Sequence, residues 1–593
     1  MKLKKVIALL LASVMSVSIL AACGGNDNNQ GSTTTTTQTG ETTTTGSTEA
    51  PQPGDPVNEA AEAVYAMYPN LPRTGMEFDE PIVITRYTDS SAVQIDPNNP
   101  FLKALETITN IKIETEYLVG DAYEKMGVMI ASGDLPDMVN VGVGEQPFFM
   151  DAGVYLPLQD LVEQHAPRYR ELFDKYWPYM FRQDGNKYVM SVWDVPIGNE
   201  GNLQYWGCAF YLQKDVIDHF GRAPKTLDEY FDFIREYKAL NPTIDGVPTI
   251  GFESNMSEWR VWSLLHPSKF LEGIGNWGDA GAADVATHTV FDPYQADTYR
   301  IFHEKLNQEY LAGTMLAETF TRDFDGFLAT IASGAVLGFF DQYWNFMNAE
   351  QVLIQEDRWE RTYLPLGLVN NPSITPRYRE RGMFGANNGF GISANTQHAE
   401  RIMRLVNYLL QEEVQIWLSW GVEGEHYYVN NEGRYMRTPE QRASQLDEQW
   451  VRDNMGRFYQ DMFPAWRGSF TNGNATRPDE QPEEAWDSLS DYDKALFTKL
   501  GINTKIAFMG EPWDVPGYYP FWSKRPFAND GSPADRAWND QVDYLKIALQ
   551  RLALTPEGQF DAAYEEFLAG LARVDASPMI EALQEFVDSF NLR

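Results

Sequence analysis

Between Pro81 and Val141 the chain runs twice through one alternation of strand-like and helix-like segments. Pro81 to Tyr87 is a β-branched run bounded by turn residues and reads as a buried strand. Pro100 to Asn110 places Phe101, Leu102, Leu105 and Ile108 on one helical face. Ile111 to Leu118 alternates apolar and charged residues, the pattern of a half-buried strand. Tyr123 to Ser132 reads as a second helix, with Gly133 at its C-cap, and Met138 to Val141 as a third strand. Two consecutive β-α-β units imply a mostly parallel sheet covered by helices.

The chain continues for far longer than one core can grow, so at least two lobes are expected. Thr226-Leu227-Asp228-Glu229 reads as a capping box opening a helix that buries Leu227, Tyr230, Phe231, Ile234 and Tyr237. One helix is expected over 397–420, burying Ile402, Leu405, Val406, Leu409 and Trp417 and stopped by Gly421. Two more are expected over 558–572 and 577–590.

The N-terminus points outside the cell. Lys2, Lys4 and Lys5 precede an apolar run from Val6 to Leu20, shorter than the roughly 20 residues of a membrane span. It ends in Leu20-Ala21-Ala22-Cys23-Gly24-Gly25, which resembles the lipobox of bacterial lipoproteins. That resemblance implies cleavage before Cys23, acylation of its thiol, and a protein held on the outer face of the cell membrane. The Thr-, Gly- and Ser-rich stretch that follows is too poor in apolar residues to offset chain entropy and reads as a solvated linker.

The 47 basic residues stand against 84 acidic ones, a net charge of −37, and removal of the leader makes the balance more acidic. Nucleic acid is thereby excluded as a natural partner. Cys208 is the only cysteine besides Cys23, so no disulfide is expected once Cys23 is acylated. It lies in the apolar run Tyr205 to Leu212 with no base beside it in sequence, and is expected to be buried and inert.

Several segments together resemble the extracellular solute-binding proteins of bacterial ABC importers, in their large carbohydrate-binding lipoprotein branch. Ala131-Ser132-Gly133-Asp134-Leu135-Pro136-Asp137 matches a first-lobe signature of that family, and Asp184-Gly185-Asn186-Lys187-Tyr188 fits its hairpin with one asparagine inserted. Tyr211 to Asp215, Pro224 and Thr226 to Tyr230 fit the entry to the second lobe. Gly391-Ile392-Ser393, Arg401 to Leu410 and Trp420 to Tyr427 resemble the return through the hinge. The resemblance implies an α/β, two-lobed periplasmic-binding-protein-like (Venus flytrap) fold with hinge-crossing strands and extra C-terminal helices. The expected division is leader 1–22, lipidated linker 23–57, first lobe 78–200 and 385–435, and second lobe 201–384 and 436–593. It further implies a monomeric receptor that performs no catalysis, needs no cofactor, and hands a solute to ABC permease subunits.

With aromatics at 13% of the chain, a neutral oligosaccharide is the expected solute. The apolar faces of sugar rings lie on indole and phenol rings, while carboxylates and amides take the hydroxyls. Residues at expected strand ends are the candidates: Tyr87, Asp89, Glu145, Trp193, Asp194 and Trp206 from the first lobe and first crossing. Glu253, Trp259, Trp262, Asp341, Tyr343 and Trp344 come from the second lobe; Asn387, Trp420, Glu423 and His426 approach the second crossing. Trp259 and Trp262, three residues apart, are expected to share a helical face.

Many long members of the family carry a calcium loop after the capping-box helix. Here Asn241 to Ile250 keeps only Asp245 as a carboxylate, too few oxygens for calcium, and the seven histidines show no zinc spacing. Two other readings remain open at this point. One is an extracellular glycoside hydrolase, which would also use carboxylates in an aromatic cleft. The other is a lipoprotein that presents ligand to a sensor.

Overall fold

The computed structural model describes residues 58–593 apart from 91–94, 143, 183, 193–194, 198–204, 206, 382–384, 386–387, 523–526, 528–530 and 591–593, with backbone alone at 196–197 and 258. The leader, the linker and Cys23 therefore lie outside the described residues, as do Trp193, Asp194, Trp206 and Asn387.

The strands that matter for the site are, in chain order, β1 (Ile82–Thr88), β2 (Ile111–Tyr117), β3 (Met138–Val141) and β4 (Val189–Ser191). They continue with β5 (Cys208–Gln213), β6 (Ile250–Glu253), β7 (Val336–Gln342), β8 (Tyr363–Leu366) and β9 (Gly389–Ile392). One sheet has the order β2-β1-β3-β9-β4 and the other β8-β5-β7-β6. In the first, β1 runs parallel to β2 and β3, as the two β-α-β units require, and β9 is antiparallel to β3 and β4. In the second, β7 is parallel to β6 and antiparallel to β5, and β8 is antiparallel to β5.

The registers place both crossings on one edge of each sheet. Gly389 pairs with Val141 and Ser191, so β9 begins where β3 and β4 end. Cys208 pairs with Gln342, so β5 begins where β7 ends, and Leu366 pairs with Phe210, so β8 ends there too. The segments 192–207 and 367–388 thus join the carboxyl edges of the two sheets. The loops after β1, β3, β6 and β7 open on those edges, where open α/β sheets bind ligands.

Packing explains the strand compositions. Every residue of β5 is buried, which is why Cys208 to Gln213 is not an alternating strand. Burial pushes the Cys208 thiol far up, and His266, distant in sequence, brings its Nδ1 to 4.0 Å of the sulfur. Most of the aromatic surplus is core: Trp277, Trp420, Trp466 and Trp522 are fully buried. The Trp522 indole donates to the Trp277 carbonyl at 2.6 Å, satisfying a polar atom that burial would otherwise penalise.

The structure departs from the sequence reading in three places. The expected helix over 397–420 is two, Ala399–Leu409 and Glu412–Trp420, and the Gln415 side chain caps the break by donating to the Leu409 carbonyl at 2.6 Å. The apolar stripe runs through the break, so periodicity alone conceals it. At the capping box Thr226 accepts from the Glu229 amide at 3.3 Å, but the Glu229 carboxylate accepts from Lys225 N–H at 2.8 Å. Residues 436–487, grouped with the second lobe on sequence, pack beside the first. Asn99 donates to the carbonyls of Arg452 and Met455, the Trp420 indole donates to Ala475, and Trp466–Gly468 pairs with Val195–Ile197.

The chain rejoins the second sheet at Asp491–Leu500, where Asp493 forms a buried ion pair with Lys214. Pro533–Ala553, Phe560–Leu571 and Ser577–Asp588 then close the second lobe. Gln584 accepts from Val290 N–H at 2.8 Å, and Asn307 donates to the carbonyls of Ala553 and Thr555.

Candidate ligand-binding cleft

On the first lobe, Asp89 follows β1 and its Oδ2 accepts from Gly142 N–H at 2.7 Å, just past β3. Burial raises the Asp89 carboxyl, and the Gly142 bond opposes the rise. Glu145 folds over the same glycine: a Cβ at Gly142 would stand 2.3 Å from Glu145 Oε2 and would push the carboxylate tip aside. The Tyr123 hydroxyl donates to Glu145 Oε1 at 3.2 Å, and the Phe148 ring lies edge-on to Tyr123 at 5.8 Å. Tyr87, in contrast, is fully buried in a core cluster with Phe149 and Tyr155, its hydroxyl pushed up to about 12 chiefly by burial.

On the second lobe, Trp259 and Trp344 stack with ring centroids 5.9 Å apart and planes 17° apart. They remain 53% and 41% exposed, an unusual state for the largest apolar side chain. Trp259 follows β6 in a short 3-10 turn, Glu258–Val261, and Trp344 opens the helix Tyr343–Gln355 after β7. The Arg260 guanidinium lies 4.4 Å over Trp259 and 3.7 Å over Phe324, and its Nε donates to Asn345 Oδ1 at 3.1 Å. Asn345 in turn donates to Asp341 Oδ1 at 2.9 Å. One polar chain therefore runs from the exposed aromatic pair to a buried carboxylate.

Asp341 and Glu253 serve this lobe from inside. Asp341 is fully buried, accepts from its neighbour Gln342 N–H at 2.6 Å, and has its carboxyl pushed up to about 7 by burial. Glu253, also fully buried, accepts from Ser254 N–H at 3.2 Å, with Arg322 Nε 3.3 Å away, and burial raises its carboxyl as well. Both acids are turned into the lobe.

Other expected site residues have structural surroundings. Trp262 is buried against His266 and Phe340, whereas Trp259, three residues before it, is exposed and stacks on Trp344. Trp420 packs on Tyr427 and Tyr435, and His426 is buried with its Nδ1 accepting from Val422 N–H at 3.1 Å. Both are contacted by the 436–487 segment that sequence assigned elsewhere, through Ala475 and Gln445. Glu423 is exposed beside them. Tyr343 is half-buried; burial raises its phenol, and the charges of Glu350 and then Asp479 add to the rise. Sequence reasoning missed Arg260, Asn345, Tyr123 and Phe148.

The model of the bacterial extracellular solute-binding protein family matches residues 97–416, more than half of the chain. The chain belongs to this family. The fructooligosaccharide ABC transporter substrate-binding protein FusA of Streptococcus pneumoniae serotype 4 is 28% identical to this solute-binding protein over 160 residues, 26% of the chain. The match spans 30% of the length of that curated relative.

Solved structures match nearly end to end. The S. pneumoniae FusA EF-hand mutant with fructo-nystose has a TM-score of 0.59 at 16% identity, over 86% of this chain and 99% of that one. An HMO-binding ABC-transporter solute-binding protein from Bifidobacterium longum infantis gives 0.58 at 14%, over 87% and 100%. Alginate-binding protein AlgQ2 without calcium ion gives 0.57 at 15%, over 86% and 98%. At these identities the likeness is one of fold, and it is two-lobed. No helix among the described residues is long and apolar enough to cross a membrane.

Proposed function

We propose that this protein is a lipid-anchored receptor on the outer face of the cell membrane. It captures a neutral oligosaccharide between its lobes as a monomer and delivers it to the permease subunits of an ABC importer. The observation that carries this reading is the exposed Trp259–Trp344 stack at the carboxyl edge of the second sheet. Sugar rings present C–H faces that such rings accept, and a solute without apolar faces would leave the pair without purpose. The identity of FusA as a fructooligosaccharide-binding transporter component supports the solute class. The Ala21-Ala22-Cys23 ending of the leader supports the anchor.

The surroundings of the two buried acids of the second lobe favour binding over hydrolysis there. A glycosidase needs two carboxyl groups facing the glycosidic bond, about 5–9.5 Å apart. Asp341 and Glu253 are instead held inside the lobe by Asn345, Gln342 and Ser254.

Native mass spectrometry of the full-length protein in detergent tests the reading. The panel consists of fructo-, malto-, manno-, xylo- and N-acetyllactosamine oligosaccharides. The expected result is a one-to-one complex with an intact glycan of one series. Cleaved glycan, or no complex with any series, would overturn it.

A further inference from the structure

We propose that Tyr123 and Phe148 form a second aromatic platform, on the first lobe, which holds the far end of the oligosaccharide that Trp344 holds on the second. This rests on the receptor reading above and adds to it a length requirement and the residues that impose it.

The argument starts from sheet order. Tyr123 stands in the first turn of Ala122–Ser132, which follows β2, and Phe148 stands in Gln146–Asp151, which follows β3. These positions are 25 residues apart in the sequence, yet parallel β2, β1 and β3 bring both to the carboxyl edge from which the crossings depart. The two rings meet at an interplanar angle of 82° and stay 58% and 42% exposed. A contact between two rings normally serves to remove both from water; here it leaves a corner of aromatic surface open.

Polar groups complete the corner. The Tyr123 hydroxyl is fixed by Glu145 Oε1, and Glu145 Oε2 and Asp89 Oδ2 converge over Gly142. Carboxylate oxygens beside an aromatic face are the pairing a sugar uses, hydroxyls to the acids and C–H face to the ring. The second lobe repeats the arrangement with different parts. There Arg260 lies over Trp259, which stacks on Trp344. Because the two platforms stand on different lobes, the proposed double contact requires a chain of several rings to engage both.

The test compares full-length parent, Tyr123→Ala and the double variant Tyr123→Ala/Phe148→Ala by isothermal titration. The probes are members of two to six rings from the five glycan series of the mass-spectrometric panel. The parent is expected to bind longer members more tightly. The variants should lose about tenfold or more on the longest members while binding the disaccharide as the parent does. Tyr123→Trp should restore the length dependence.

Equal affinity of parent and variants at every length would overturn the second platform and leave the receptor reading standing. Loss that is equal at every length, disaccharide included, would also overturn it, because that reports a change of fold or hinge. If the parent binds no member of any series, the receptor reading falls and the platform with it.

Discussion

Trp259 and Trp344 follow two parallel neighbouring strands and stack 5.9 Å apart at the mouth of the second lobe. Arg260 lies over the Trp259 ring and donates to Asn345, and both indoles stay about half exposed. Trp344→Ala should therefore leave the unfolding midpoint within about 0.5 kcal/mol of the parent, as expected for exposed sites. The same change should weaken binding of the cognate oligosaccharide about tenfold or more, roughly 1.4 kcal/mol. Titration followed by tryptophan fluorescence measures this. A variant with parental affinity would remove the pair from the site.

Asp341 gives stability a pH dependence with a definite sign. Burial lifts its carboxyl from the ordinary 3.8 to about 7 in the folded protein. A raised carboxyl makes the folded state bind the proton more tightly, so its contribution is complete below about pH 4 and lost as pH rises through 7. At about 1.4 kcal/mol per unit, the change is on the order of 4 kcal/mol. Asp341→Asn cannot ionise, so its stability should gain on the parent between pH 4 and pH 8. Urea unfolding across that range checks it, and two parallel profiles would contradict it.

The Lys214–Asp493 pair ties the end of β5 to the helix that returns from the first lobe, and both side chains are almost wholly buried. Lys214→Met should cost about 3–5 kcal/mol, because it leaves a buried carboxylate without a partner. The double variant Lys214→Met/Asp493→Leu should recover most of the loss. Denaturant midpoints of parent, single and double variants report both numbers.

Chelation should change nothing. Thr243–Ile244 and Val247–Pro248 form a tight hairpin around Asp245 and Gly246, and Arg358 engages the Asp245 carboxylate at 2.8 Å. A calcium ion needs six to eight oxygens. The unfolding midpoint with excess EDTA should match that with added calcium; a drop of several degrees would reveal a metal this reading does not allow for.

Cys23→Ala should release the protein from the membrane fraction and leave its unfolding midpoint unchanged. Fractionation of cells carrying each form tests the anchor, and an equally sedimenting variant would refute it.

Much of the fold was legible because its signals are local. The first strands and helices lie within a residue or two of their expected bounds, since period and capping residues set them. The helix break at Leu410 was not legible, because a glutamine five residues on repairs it. The Trp259–Trp344 pair was legible as aromatics after strand ends, but the burial of Trp262 against His266 and Phe340 was not, because it depends on residues brought in by tertiary packing. Trp420 and His426 were read as rim residues because the segment that contacts them, 436–487, follows them in sequence and folds back. Tyr123 and Phe148 meet only through sheet order, which no local pattern encodes.

The return of that segment has a mechanical consequence. Pro482–Asp487 belongs with the first lobe through Glu484, Arg437 and Arg442, while Asp491–Leu500 belongs with the second through Asp493. Only Ser488, Leu489 and Ser490 lie between them, a tether of at most about 14 Å when fully drawn out. Two long connections alone would let the lobes slide and twist past one another. The third, short one acts as a pivot pin: it fixes a point the lobes cannot leave, so that sliding is suppressed and their relative freedom is confined to rotations about it.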